Sequence, residues 1–237
     1  MERSYRQIIW LFIGIALIIF AGFYKTYFQY FPHWSKVDNF HHFHAIVLCC
    51  WLTLLIVQPW LIRRKQFAWH NRLGKLSYFL VPVMIVSMLI AYKTQYLRLE
   101  ASGTPHKDNL ATLFMPFTDV FPFAVYFVMA MLNSNHVQKH MRFIIATGLI
   151  VLESGLFRIL FFYFRLPFVT SFNLTILTVA LLFIALIAYD YRNGKPVRRN
   201  SFSTALLIFL VPNMLFFLIP RTAWFQYIAE GFVKQVF

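Results

Sequence analysis

Residues 43–82 read FHAIVLCCWLTLLIVQPWLIRRKQFAWHNRLGKLSYFLVP: an apolar run, a basic turn and the start of a second apolar run. The first run, His44 to Ile62, contains no Asp, Glu, Lys or Arg and is long enough to cross a bilayer, which takes about 20 helical residues. The turn, RRKQFAWHNRLGK (63–75), carries five cations and no acid. A cationic turn between two apolar helices marks a chain that turns round on the cytoplasmic side of a membrane.

Outward from this hairpin, six further runs meet the same length requirement: Ile8 to Tyr30, Leu76 to Tyr96, Leu113 to Leu132, Phe143 to Phe164, Phe172 to Tyr189 and Phe202 to Ile219. The expectation is an all-α polytopic membrane protein of about seven transmembrane helices in one bundle, a single domain over 1–237. With 60% apolar and 13% charged residues, the chain is a poor candidate for a soluble domain. The first run has basic flanks like a signal peptide but is too long and lacks a small-residue cleavage site, so it reads as a retained helix. The tail RTAWFQYIAEGFVKQVF (221–237) mixes aromatic and charged residues, as an amphipathic segment along the outer interface does.

A formal charge of +14 points to nucleic acid in a soluble protein, but here its distribution decides. Thirteen of the 22 Lys and Arg fall on the face holding the amino terminus and the second, fourth and sixth loops, including RNGKPVRRN (192–200). The positive-inside rule then puts the amino terminus in the cytoplasm and the carboxyl terminus outside, with membrane lipid, not nucleic acid, as the partner. Cys49 and Cys50 are adjacent within one helix, point in different directions and make no ordinary disulfide with each other.

Charged side chains inside spanning helices cost about 2.5–3.5 kcal/mol on insertion scales, so each needs a partner or a task. Asp119 in the fourth helix and Arg158 in the fifth fall roughly 9 Å below the outer ends of their helices, where they can meet, and Glu153 falls near the midplane. They form either a buried ion pair that locks two helices or part of a functional centre. If the second helix begins before His41, then His41 and His44 share a face and could hold zinc or iron together with Asp119, supplemented by His33, His106 or Asp108. His42 points elsewhere. Gln58 and Asn213 suit interhelical hydrogen bonds.

At the other end, His70 and His140 each precede an arginine by two residues, as His70-Asn-Arg72 and His140-Met-Arg142. Facing histidines at the starts of the third and fifth spans can ligate one haem iron from both sides, with Arg72 and Arg142 offered to the propionates. His136 and His140 also form an H-x-x-x-H pair that suits zinc, although Asn133, Ser134 and Asn135 before it look like a turn.

The stretches 43–82, MPFTDVFPFAVYF (115–127) and HMRFIIATGLIVLESGLFRI (140–159) resemble a widespread bacterial family of uncharacterised multi-pass membrane proteins, over about half the chain. Its pattern is matched at His44, Gln58, His70, Arg72, Asp119, His140, Arg142 and Arg158, and the resemblance implies a shared fold in the bacterial inner membrane. In layout the chain is also distantly similar to the two-haem transmembrane cytochromes b that act as ascorbate-dependent ferric reductases. That likeness implies histidine ligands at His44, His70 and His140, but the fourth core helix offers Asp119 where a fourth histidine is expected.

Three functions follow as expectations. The first is a haem b protein, bound through His70 and His140, that passes electrons to a quinone or another membrane redox protein. The second is a zinc-dependent membrane hydrolase using His41, His44 and Asp119, with Glu153 as base. The third is a non-catalytic subunit, assembly factor or transporter whose buried network of Arg158, Glu153 and Gln58 only holds the bundle together.

Overall fold

The computed structural model describes residues 5, 7–32 and 37–236, and among these the regular elements are helical and include no strand. The α-helices are α1 Ile8–Tyr24, α2 Asn39–Arg63, α3 Phe67–Ala101, α4 His106–Thr112, α5 Val120–Leu132, α6 Val137–Arg158, α7 Phe168–Arg192, α8 Ser201–Leu218 and α9 Ala223–Val236. Six segments are long and apolar enough to cross a membrane: Asn39–Arg63, Phe67–Ala101, His106–Leu132, Val137–Tyr163, Phe168–Arg192 and Ser201–Leu218. α1 is apolar but only 17 residues long; it ends at Tyr24, short of the predicted Tyr30, and buries Phe12, Ile15 and Ile19 in the core. The chain is thus an all-α, multi-pass bundle. One end carries the basic turns after α2, α5 and α7; the other carries α4, α9 and the start of α2.

Local chemistry sets the helix ends. Asp38 accepts a hydrogen bond from His41 N at 2.9 Å, capping α2 so that the helix begins before His41. α7 ends at Gly194, whose φ of +78° is left-handed, and the chain turns back so that Lys195 N reaches Asp190 O at 3.1 Å. The predicted fourth span is not one helix. α4, a 3-10 turn at Met115–Phe117 and α5 follow one another, with the break at Pro116 and Asp119 capping α5. At 35 residues α3 measures roughly 52 Å, more than the hydrocarbon needs. Its extra turns carry Tyr96 into a small cluster with Leu110 of α4 and Ala229 of α9.

α6 is the axis of the bundle, with Ile145, Ala146, Leu149, Ile150 and Leu152 all buried. α1 lies directly on it. A Cβ added at Gly22 would fall 2.3 Å from the Gly155 carbonyl oxygen, and one at Gly155 would fall 2.9 Å from Ile19 Cα. Backbones this close are how helices associate where lipid removes the hydrophobic drive between them. Tyr163 Oη donates to Ala21 O at 2.9 Å and Lys25 Nζ to Phe162 O at 3.0 Å, fastening the far end of α1 to the π-helical turn Ile159–Tyr163 that follows α6.

At the basic end α6 is tied to α7 by an ion pair. Arg142 Nε donates to Asp190 Oδ2 at 2.6 Å and Nη2 to Oδ1 at 3.0 Å, with the two side chains 4% and 0% exposed. Tyr5 Oη donates to the same carboxylate at 2.9 Å and Asn200 Nδ2 at 2.8 Å, while Asn200 Oδ1 caps α8 through Phe202 N. A bidentate pair with further donors on the carboxylate is the form in which a buried charge is tolerated. Asp190→Asn leaves Arg142 buried without a counter-charge, so it should lower the stability of the detergent-solubilised protein by about 3–5 kcal/mol in thermal unfolding. Arg142→Met together with Asp190→Leu should cost less than Asp190→Asn alone. Gly22→Leu should separate α1 from α6, seen as new protease cleavage after Tyr24.

Candidate functional site

The basic end brings two predicted histidines towards each other. His70 lies in the first turn of α3 and His140 in the first turn of α6, and each is within electrostatic reach of the other. His140 Nδ1 lies 2.9 Å from Ala130 O on α5. A carbonyl oxygen only accepts, so Nδ1 holds the proton and the Nε2 lone pair is free. Metal-ligating histidines are held in just this tautomer, with the second nitrogen donating to a carbonyl. His70 Nδ1 is buried without a hydrogen-bond partner among the described residues, and so are Gln58 Oε1 and Trp51 Nε1 on the neighbouring helix α2. Gln58 makes its expected interhelical bond, Nε2 donating to His70 O at 3.2 Å. Asn213 instead bonds within its own helix, to Phe209 O at 2.8 Å.

The arginines divide. Arg72 is exposed, its guanidinium 5.4 Å from the Trp69 ring centre, and is free to meet an anionic group at the membrane surface. Arg142, also predicted to meet propionates, is committed to Asp190 and fills a structural place. Asp190, Tyr5 and Asn200 escaped the sequence reading. The available signal was an acid, Asp190, in a face otherwise rich in cations and just past the end of the sixth apolar run.

At the opposite end the predicted metal ligands do not converge. His41 Nδ1 donates to Asp38 Oδ1 at 2.7 Å, with Arg98 on its far side. His44 turns to α3, its Nδ1 2.9 Å from Ser87 Oγ, and Asp119 turns to Tyr92, whose hydroxyl donates to Oδ2. Among the described residues no three His, Cys, Asp or Glu side chains are placed to share a metal ion. His42 bonds Tyr27 Oη at 2.8 Å, His106 lies 3.4 Å from Glu100 Oε1, and Asp108 pairs with Arg221; His33 lies outside the described residues. His136, the residue before α6, is exposed.

The predicted Asp119–Arg158 ion pair does not form either. Arg158 Nη1 donates to Ser154 O at 2.9 Å and the guanidinium lies 4.0 Å from the centre of the Phe23 ring, while Asp119 Oδ1 accepts from Val120 N at 2.5 Å. Depth along two helices matched the residues, but the helix break rotates Asp119 towards α3. They remain within electrostatic reach, and with His44, Tyr92 and Glu153 they form one polar cluster drawn from α2, α3, α5 and α6. Glu153 makes no hydrogen bond or ion pair with a described residue.

No family model matches the chain, no curated protein matches it, and no solved structure matches it. Its chemistry therefore has to be read from these side chains.

Outside the spans, the imidazole of His41 beside Asp38 holds that carboxyl below the usual carboxylate range. A depressed folded value stabilises above the unfolded pKa and is lost as pH falls through the folded one, so the cap on α2 should weaken only below about pH 4. Asp38→Ala should cost about 0.5–1 kcal/mol, at the low end because the carboxylate is half exposed. Faster hydrogen exchange at the His41 and His42 amides at neutral pH is the readout, with the variant losing the acid-dependent step.

Proposed function

We propose that the protein is a membrane haem protein that passes electrons, with His70 and His140 as the two axial ligands of a b-type haem at the basic end. The observation that carries this reading is the state of the two imidazoles. His140 is held by Ala130 with its Nε2 unspent, and His70, on another helix and within electrostatic reach, has a buried Nδ1 with no hydrogen-bond partner among the described residues. Both lie in the first turn of helices that start at the same end, which gives them a common depth.

A b-type haem, when bound, supplies a one-electron couple whose potential its axial ligands and surroundings set. The protein's own residues have separate tasks. Ala130 O fixes the tautomer and ring orientation of His140. Gln58 fixes the start of α3, and so His70, by donating to the His70 carbonyl. Arg72 offers charge to propionates at the surface. Two histidine ligands would leave a bound iron without an open position, which would favour electron transfer over oxygen activation.

Protein purified from a haem-replete host should show a reduced-minus-oxidised absorption band, abolished in both His70→Ala and His140→Ala and kept in His136→Ala. A colourless wild-type protein from such a host would overturn the reading. Arg142→Met should lower stability and leave the band position of the surviving folded protein unchanged, because Arg142 serves Asp190.

A further inference from the structure

The polar cluster at the opposite end sits where two helices depart from regular geometry. The fourth span is broken between Thr112 and Val120, with Asp119 at the break, and α6 becomes a π-helix directly after Arg158. Irregular backbone at membrane depth occurs where it is enclosed by protein or lines a polar cavity, and broken spans and π-turns recur at binding sites.

The cluster's side chains have unspent hydrogen-bonding groups of both kinds. Arg158 uses Nη1 on its own helix, and its Nε and Nη2 make no hydrogen bond with a described residue. Ser87 donates its only hydroxyl proton to Met84 O at 2.7 Å, so it accepts from His44 Nδ1. The Nε2 of neutral His44 is then an open acceptor. Glu153 has no partner among the described residues, and each of His44, Asp119, Glu153 and Arg158 keeps some accessible surface. A ring lies beside each unspent end: Phe23 under the Arg158 guanidinium, and Phe40 parallel to His44 with centroids 6.3 Å apart.

A ligand for this set must accept from Arg158 and donate to His44 or a carboxylate. The phosphate of an anionic lipid offers acceptors only and meets Asp119 and Glu153; a cationic head meets Arg158. A neutral flat ring with hydroxyls on opposite edges satisfies both needs, since a hydroxyl oxygen accepts from Arg158 and a hydroxyl proton is donated to His44. Next to the cluster, between α2 and α3, an apolar groove of about 270 Å³ is walled by Phe43, Pro82, Val83, Val86, Ser87 and Ile90. Ser87 belongs to both groove and cluster, so an apolar chain attached to such a ring would have a place to lie.

We infer that this cluster binds the ring of a membrane-soluble quinol, with the apolar chain in the α2–α3 groove. The assignment names a partner for the electron-transfer reading and rests on it for the choice of a redox-active ring.

The test is binding of decylubiquinol, kept reduced under anaerobic conditions, to the full-length protein in lipid nanodiscs, read as quenching of tryptophan fluorescence. Saturable quenching is expected, weakened at least about tenfold by Arg158→Gln and by His44→Leu, the scale of one charge-assisted hydrogen bond. Glu153→Gln and Arg158→Lys read the same site if Arg158→Gln does not fold. Val86→Phe, which fills the groove, should weaken decylubiquinol and leave a tail-free hydroquinone unchanged. Quenching that rises without saturation, or that is equal in wild type and folded variants, would overturn the site. Binding is read whether or not haem is present. A colourless protein that binds saturably supports the site and sinks only the haem reading, and a coloured protein that does not bind sinks only the quinol site.

Discussion

Arg142 and Asp190 hold each other through two hydrogen bonds in a place that neither could occupy alone. The pair fixes the start of α6 against the end of α7, and Tyr5 and Asn200 bring the amino-terminal segment and α8 to the same carboxylate. Because α6 is the buried axis, this contact sets the depth and rotation of everything on it. His140 lies two residues before Arg142, and Glu153 and Arg158 lie three and four turns further along. The pair therefore aligns both polar centres. Its own energy is modest against a hydrophobic replacement, since desolvation offsets much of the attraction, but removing one member leaves a stranded charge.

The two centres differ in how their hydrogen bonds are spent. At the basic end the ion pair is saturated, while the imidazoles beside it keep free nitrogens. At the opposite end the charges avoid one another: Asp119 is taken by Tyr92 and a backbone amide, Arg158 by a carbonyl and an aromatic face, and Glu153 by none of the described residues. Ionisable groups kept apart at membrane depth are costly without a ligand to serve. That contrast is why a structural role fits Arg142 and a binding role fits Arg158, although both are arginines on one helix.

Much of the fold was legible in the sequence because a membrane imposes a length and a composition. The hairpin of residues 43–82, the sixth and seventh runs and the position of each turn follow from apolar runs of about 20 residues. What failed depended on geometry that hydropathy does not carry. Pro116 within MPFTD breaks the fourth span, yet the run stays apolar across the break. The Asp119–Arg158 match used depth alone, and depth ignores rotation about the helix axis. Arg142 looked interfacial because its partner, Asp190, lies 48 residues away on another helix. By contrast, placing His70 and His140 at the same end needed only that two helices start there, which turn positions already fix.

The central proposal is that His70 and His140 would together hold one haem iron. The most direct measurement is low-temperature electron paramagnetic resonance of the oxidised protein, purified from a haem-replete host. Two imidazole ligands should give a low-spin ferric signal with no high-spin component. A high-spin signal, or no haem signal from folded protein, would contradict the account.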